Sequence, residues 1–312
     1  MFMKPVIPFE PVSTEKIPTG SQWVSQVKWD GVRVLTYFNG NQVKLYNRKL
    51  NERTFHYPEL LELNNYCLCT SVILDGEIIA LKDGKPSFYE VMKRDGITNL
   101  GKVKKLVKTN PIIYMIFDIL YYNGSWVISK PLSFRQALLE EIINPNHSVQ
   151  LVENFADSQA LFDVISQNKM EGIVIKDLNS TYGINGKDSR WQKKKYYQDV
   201  IAVVGGVTFR GNIVNSLLIG LYDKEGALWY IGHVGTGRLT QDDWRNLTKS
   251  IQPIITTQNP FLNPVPRLKE AIWLEPLLKV KVKFSEWTNE HTLRHPSIET
   301  FVDLPVDNYP FL

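Results

Sequence analysis

The sequence predicts an α+β protein in two parts, a mixed strand-and-helix part over residues 1–197 and a β-rich part over residues 198–312. Three observations carry this. Apolar strand-like runs alternate with helix-periodic segments through the first two-thirds of the chain. After about residue 197 short apolar strands take over, separated by glycine-containing turns. Of the 312 residues, 43% are hydrophobic and 22% charged, a balance that allows sizeable cores and a length that suits two domains.

In the first part, Val43 and Leu45 alternate with polar residues, as on a half-buried strand. Residues 71–81 are rich in β-branched side chains, interrupted at Asp75-Gly76-Glu77. The apolar runs 111–122 and 172–175 read as buried strands. Between them, Ser133 and Gln136 have the spacing of a capping box, and Phe134, Leu138 and Ile142 recur every four residues. Asp157 is placed to cap another helix, with Ala160, Leu161, Val164 and Ile165 on one face. In the second part, strands are expected at 200–204, 217–222, 228–234 and 277–284, with turns at Gly205-Gly206, 223–226 and 235–237. One helix interrupts them, capped by Thr240 and turning Trp244, Leu247 and Ile251 inward. Short strands with a single helix suit a small barrel such as an OB-fold.

Composition narrows the function. No apolar run approaches the roughly 20 residues needed to span a bilayer. Residues 1–10 lack the basic and then apolar pattern of a secretory signal. The two cysteines, Cys67 and Cys69, make neither a disulfide framework nor a zinc pattern, so a cytoplasmic setting is expected. The net charge of +4 permits a polyanionic partner without requiring one. Lys102, Lys104, Lys105 and Lys108 form one basic group, which is a solvated face as readily as a contact. Arg190, Lys193, Lys194 and Lys195 form another.

The segment with the clearest chemistry is Lys28-Trp29-Asp30-Gly31-Val32-Arg33. A lysine is protonated near neutral pH, and neighbouring cations or burial expose its lone pair as a nucleophile. Gly31 allows backbone to approach a ligand, and the planar fork of Arg33 suits a phosphate. Alone, this pattern is more often a surface lysine before a turn.

The segment resembles motif I of the covalent nucleotidyltransferases, which comprise ATP-dependent DNA ligases, RNA ligases and mRNA capping enzymes. Other segments resemble further motifs in the family's order: Tyr46-Asn47-Arg48, Leu74-Asp75-Gly76-Glu77, Met115-Ile116-Phe117-Asp118, Glu171-Gly172-Ile173-Val174-Ile175-Lys176 and Trp191-Gln192-Lys193-Lys194-Lys195. The resemblance implies that Lys28 is the catalytic nucleophile, that Arg48 holds ribose or nucleic acid, and that Glu77 binds ribose. It implies that Phe117 stacks on adenine, that Glu171 places a divalent metal with Glu77 as a second ligand, and that Lys193 and Lys195 grip phosphates. Gln26 and Val27 would border the base. Period-two spacing points Lys193 and Lys195 to one side and Lys194 to the other. Phe117 is otherwise a plain core aromatic, and Glu77 and Glu171 surface acids at turns.

After residue 197, Gly220-Leu221-Tyr222, the segment 231–237, Phe284-Ser285-Glu286-Trp287-Thr288 and Leu293-Arg294-His295-Pro296 resemble the OB domain of bacterial LigD-type DNA ligases. The resemblance covers residues 5 to 303. It implies an adenylation (nucleotidyltransferase) domain over 1–197 with mixed and antiparallel sheets, and an OB-fold domain over 198–312. It also implies a bacterial or phage-borne monomer that uses ATP and Mg²⁺, with Mn²⁺ as a substitute; on length, no attached polymerase or nuclease module is expected. Its substrate would be nicked double-stranded DNA, and its partners end-joining or repair proteins. A hinge is expected at 196–199. An RNA ligase would share the same pocket, whereas a GTP-using capping enzyme fits the C-terminal resemblance poorly. A non-catalytic OB-fold nucleic-acid binder is the rival from another class.

Three departures stand out. Relatives often carry Glu where this chain has Gln26, and Gln still accepts a hydrogen bond from the adenine amine. Lys49-Leu50 follows Arg48 where Asn-Gly is common. In the last motif Arg294 is present, but Val302 and Pro305 replace the usual basic residues. In the family that element orients the leaving pyrophosphate, so either loading of Lys28 is slow or Arg294 and other bases compensate.

Overall fold

The computed structural model describes residues 3–266 and 270–311; Met1 and Phe2 of the N-terminal stretch read above lie outside it. The chain divides into two compact units, Met1–Tyr196 and Tyr197–Leu312. Among the described residues, no helix is long and apolar enough to cross a membrane.

The first unit is built on two sheets. Its strands are β1 Glu10–Ser13, β2 Trp23–Val27, β3 Val32–Phe38, β4 Val43–Asn47, β5 Val72–Ile79, the short hairpin β6 Leu81–Lys82 with β7 Lys85–Pro86, β8 Ile113–Tyr122, β9 Ser125–Trp126, β10 Val149–Leu151, β11 Gly172–Asp177 and β12 Lys187–Lys195. One sheet has the order β1-β12-β11-β2, the other β10-β8-β5-β3-β4 with β9 beside β8. Both mix parallel and antiparallel pairs. Four helices cover them: α1 Phe88–Asp95, α2 Val103–Thr109, α3 Leu132–Ile142 and α4 Ser158–Gln167. An apolar core fills the space around β3, β4, β5 and β8, including Val34, Leu45, Leu74 and Ile116. A smaller core of Leu161, Ile165, Ile173 and Ile175 lies between α4 and the other sheet. The chain passes from one sheet to the other between β2 and β3, and Lys28 begins that link.

Several local expectations need correction. Asp75-Gly76-Glu77 does not interrupt its strand, because all three residues lie inside β5. Helix α3 starts after Pro131 with no side-chain cap, so Ser133 and Gln136 form no capping box. Its Phe134 is exposed rather than buried. On α4 Asp157 caps as expected, accepting from the Gln159 and Ala160 N–H groups. There Leu161 and Ile165 are buried, but Val164 is exposed.

The second unit is mainly β: β13 Gln198–Arg210, β14 Ile213–Tyr222, β15 Leu228–Val234, β16 Ile255–Thr256, β17 Ile272–Leu274, β18 Lys279–Phe284, β19 Glu286–Trp287, β20 Leu293–Arg294 and β21 Ser297–Phe301. The long β13 pairs with β14 on one side and with β18 and then β17 on the other. Strand β18 carries β21, and Ile298 of β21 bridges Gly237 just past β15. That bridge closes the order β15-β14-β13-β18-β21 on itself, around a core that includes Val204, Leu217, Ile219, Val282 and Ile298. Helix α5, Gln241–Ser250, carries the expected Thr240 cap as a full capping box with Asp243. Gly205-Gly206 is not a turn: both lie inside β13, at a register shift, where the rings of Phe261 and Trp273 occupy the space a side chain would need.

Candidate active site

The link after β2 is shaped by close contact. The Lys28 N–H donates to the Gly172 carbonyl at 2.9 Å. Gly31 lies so near β5 that a Cβ there would stand 2.2 Å from the Ile78 carbonyl oxygen, so any larger residue would push the link off the sheet. Lys28 is thereby tied between the two sheets. Its Nζ meets Glu171 Oε2 at 2.6 Å, and Lys195 Nζ meets Glu171 Oε1 at 2.8 Å. One carboxylate thus holds two ammonium groups. Burial works against the Glu171 charge, but Lys28 and Lys195 outweigh it and hold the carboxyl below its ordinary range. Lys193 is also lowered from its ordinary value, first by burial and then by Lys28 and Lys195. Lys194 faces away, donating to the Glu15 carbonyl and lying 4.8 Å from the Phe162 ring centre.

The opposite side of the cleft comes from the second sheet. Burial raises Glu77 to about 8; Lys28 and Arg33 oppose the shift, and Glu171 and Asp75 add to it. Two carboxylates, Glu77 and Glu171, therefore feel each other across the cleft. Phe117 is the extra residue of a bulge: Asp75 pairs with Asp118 and Gly76 with Ile116, which leaves Phe117 unpaired and re-aimed. Phe117 packs against an aromatic cluster of Phe9, Tyr37, Tyr182 and Trp191, of which Trp191 also lines the cleft.

Arg33 corrects an expectation. Its fork is not open to a phosphate, because Nε and Nη2 donate to the two oxygens of Asp75 at 2.9 and 2.6 Å. Nη1 donates to the Phe9 carbonyl at 2.7 Å, and Nη2 also reaches the Tyr182 hydroxyl at 3.3 Å. Asp75 is fully buried, so this pair is an internal strut that borders the cleft.

One cleft of about 590 Å³ is lined by Gln26, Val27, Lys28, Arg33, Arg48, Glu77, Phe117, Glu171 and Lys193. Lys195 joins this set through Glu171. Arg48 is more than half exposed and meets Glu10 at 3.2 Å. Arg294 belongs to the second unit, on the β19–β20 hairpin, where it binds Glu286. Lys176, which ends the same motif as Glu171, also lines the cleft, and sequence reasoning misses it. It is 2% exposed, its Nζ has no hydrogen-bond partner, and it sits 4.4 Å from the Phe117 ring centre and 4.1 Å from that of Trp191. Burial lowers its pKa to about 7 despite the pull of Asp118 and Asp75. Its position at the end of an apolar strand hides it.

A lysine among other cations, in a cleft of nucleotide size lined by Phe117 and Trp191, suits the binding of a nucleotide. The class to which fold and site point is the nucleotidyltransferases. Comparison with known proteins narrows it. Residues 10–195 match the ATP dependent DNA ligase domain, and residues 210–302 match the ATP dependent DNA ligase C terminal region. The multifunctional non-homologous end joining DNA repair protein LigD of Mycobacterium tuberculosis (strain ATCC 25618 / H37Rv) is 31% identical over 285 residues, covering 89% of this chain and 36% of that protein. A DNA ligase of Archaeoglobus fulgidus is 32% identical over 243 residues, covering 74% of this chain and 43% of that protein. The solved structure of mycobacterial DNA ligase D complexed with ATP and MES matches at a TM-score of 0.53 and 28% identity, over 96% of each chain. The chain belongs to the ATP-dependent DNA ligase family, and it spans less than half the length of these two curated relatives.

Proposed function

We propose that the chain seals nicks in duplex DNA, carrying AMP from ATP first on Lys28 and then on the DNA 5′-phosphate. The observation that supports this most is the Lys28–Glu171–Lys195 cluster at the floor of the cleft. In the first step the Lys28 lone pair attacks the α-phosphorus of ATP. A P–N bond forms, the bond to the bridging oxygen breaks, and pyrophosphate leaves. Glu171 Oε2 stands where it can hold or receive the proton that Nζ must shed. Lys193 and Lys195 supply positive charge for the phosphate oxygens. The nick's 5′-phosphate then takes AMP from Lys28, and the 3′-hydroxyl displaces AMP to close the strand.

Glu77 and Glu171 would hold a divalent cation, and the like-charge repulsion that helps to raise Glu77 is what such an ion relieves. Among the described residues no group of three or more acidic, histidine or cysteine side chains forms a cage. That fits Mg²⁺, or Mn²⁺ in its place, bound through one or two carboxylates together with substrate phosphates. When bound, the ion would neutralise charge on the transferring phosphate.

The family match favours this reading over an RNA ligase, and the assembled cleft favours it over a non-catalytic binder. We also propose a cytoplasmic monomer acting beside end-joining or repair proteins, a reading that the LigD likeness supports. The test is sealing of a 5′-phosphorylated nick with ATP and Mg²⁺, alongside a pre-adenylated nick without ATP. Sealing of both supports the proposal. Failure on both, with folded protein, overturns it.

A further inference from the structure

Gln26 is 3% exposed, lines the cleft, and stands two residues before Lys28. An acid in its place would offer only acceptors to a bound base. A primary amide offers a donor at one end and an acceptor at the other, in nearly the same shape. Something must therefore choose which end faces the ligand.

The neighbouring chain makes the choice. Ser25 of β2 forms an antiparallel bridge with Phe155, with hydrogen bonds of 2.9 and 2.8 Å in both directions. That register sets Asn154 opposite Gln26. Gln26 Nε2 donates to Asn154 Oδ1 at 2.9 Å. Asn154 is in turn locked to Gln136 by two reciprocal bonds: Gln136 Nε2 donates to Asn154 Oδ1 at 3.1 Å, and Asn154 Nδ2 donates to Gln136 Oε1 at 2.8 Å. Gln136 is buried on α3, next to Arg135, whose bidentate pair with Asp118 is fully buried and fixes the helix. Turning the Gln26 amide alone would set oxygen against oxygen at Asn154. Turning it without that clash requires all three amides to reverse together.

We infer that Asn154, backed by Gln136, is a specificity-positioning residue that commits the Gln26 NH₂ to the relay and leaves Gln26 Oε1 as an acceptor for the base. An acceptor there favours a purine with a 6-amino group and repels one with a 6-oxo group. The inference rests on the reading that the cleft loads a nucleotide onto Lys28. Asn154 itself touches no substrate; it acts through Gln26.

The experiment compares lysyl-nucleotide formation from [α-³²P]ATP and [α-³²P]GTP at equal concentration, with thermal melts confirming folding. Wild type should strongly prefer ATP. Asn154→Leu frees the Gln26 amide to rotate, and the ATP:GTP ratio should fall by about tenfold, the scale of one hydrogen bond gained or lost. Asn154→Asp, an acceptor only, should keep the preference. Gln26→Glu cannot present a donor when ionised, so adding it to Asn154→Leu should restore the preference. An unchanged ratio in Asn154→Leu overturns the inference, as does a lost preference that Gln26→Glu does not restore. If folded wild type takes label from neither nucleotide, the reading of Lys28 falls and this inference falls with it.

Discussion

The charges around the cleft fall into a settled group and an unsettled one, built on opposite electrostatic principles. In the settled group each charge has a partner: Arg33 forks onto buried Asp75, Tyr182 donates to the same carboxylate at 2.7 Å, and Arg135 forks onto buried Asp118. In the unsettled group, which draws on both sheets, two lysines share one carboxylate beside a third lysine, Glu77 is pushed up to about 8 and Lys176 down to about 7. Paired buried charges hold shape. Crowded, shifted ones cluster where proteins bind and react. The family motifs mix both kinds, so membership in a motif does not by itself say which group a residue joins.

Breaking the settled group should have the largest effect on stability. Asp75→Ala leaves the Arg33 guanidinium buried without its carboxylate, and the loss should be about 3–5 kcal/mol, the scale for breaking a buried pair. Chemical denaturation measures it. A loss of under about 1 kcal/mol, typical of a surface pair, would erase the contrast.

The unsettled group should respond in the opposite sense. Lys176 is charged in the unfolded chain below its ordinary 10.5 but resists charge in the fold down to about 7. The unfolded state therefore binds the extra proton between those values, and the penalty is full below pH 7 and gone above 10.5. Lys176→Met should stabilise the ligand-free protein by about 1–4 kcal/mol at pH 6, an effect that shrinks toward pH 10, while reducing nucleotide transfer. Melts across that range, paired with labelling, test both halves; destabilisation at pH 6 would place Lys176 in the settled group.

Glu77 offers a smaller effect with the reverse slope. Its folded pKa of about 8 lies above the ordinary 4.5, so the penalty is absent below pH 4.5 and full above pH 8. Glu77→Gln should raise the melting temperature at pH 8 and leave it unchanged at pH 4. A shift of equal size at both values would mean that ionisation is not the cause. Smallest of all, Arg48→Ala breaks an exposed pair with Glu10 and should alter stability by less than about 1 kcal/mol in denaturant titrations.

Sequence makes some of this contrast legible and hides the rest for physical reasons. The alternation of Lys193 and Lys195 announces a shared side because strand geometry repeats every two residues. Asp157 and Thr240 announce helix starts because capping is local chemistry. Helix α1 does not show in the apolar pattern, since Arg94 and Asp95 are buried on it through ion pairs with Glu59 and Arg53 rather than through apolar contact. Gln136 reads as half of a cap, yet its amide is spent on Asn154, a partner 18 positions away. The Arg33–Asp75 strut joins residues 42 apart on neighbouring strands, and only the register of β3 with β5 brings them together. Local signals are legible; charges settled by long-range pairing are not.

We propose that Lys28, held by Glu171 beside Lys195, is the site at which the nucleotide becomes covalent. The most direct measurement incubates the protein with [α-³²P]ATP and Mg²⁺ and maps the acid-labile label to a peptide. A single phosphoramidate on Lys28 is expected, lost in Lys28→Ala and strongly reduced in Glu171→Gln. Label on another lysine, or label that survives Lys28→Ala in a folded protein, would contradict it.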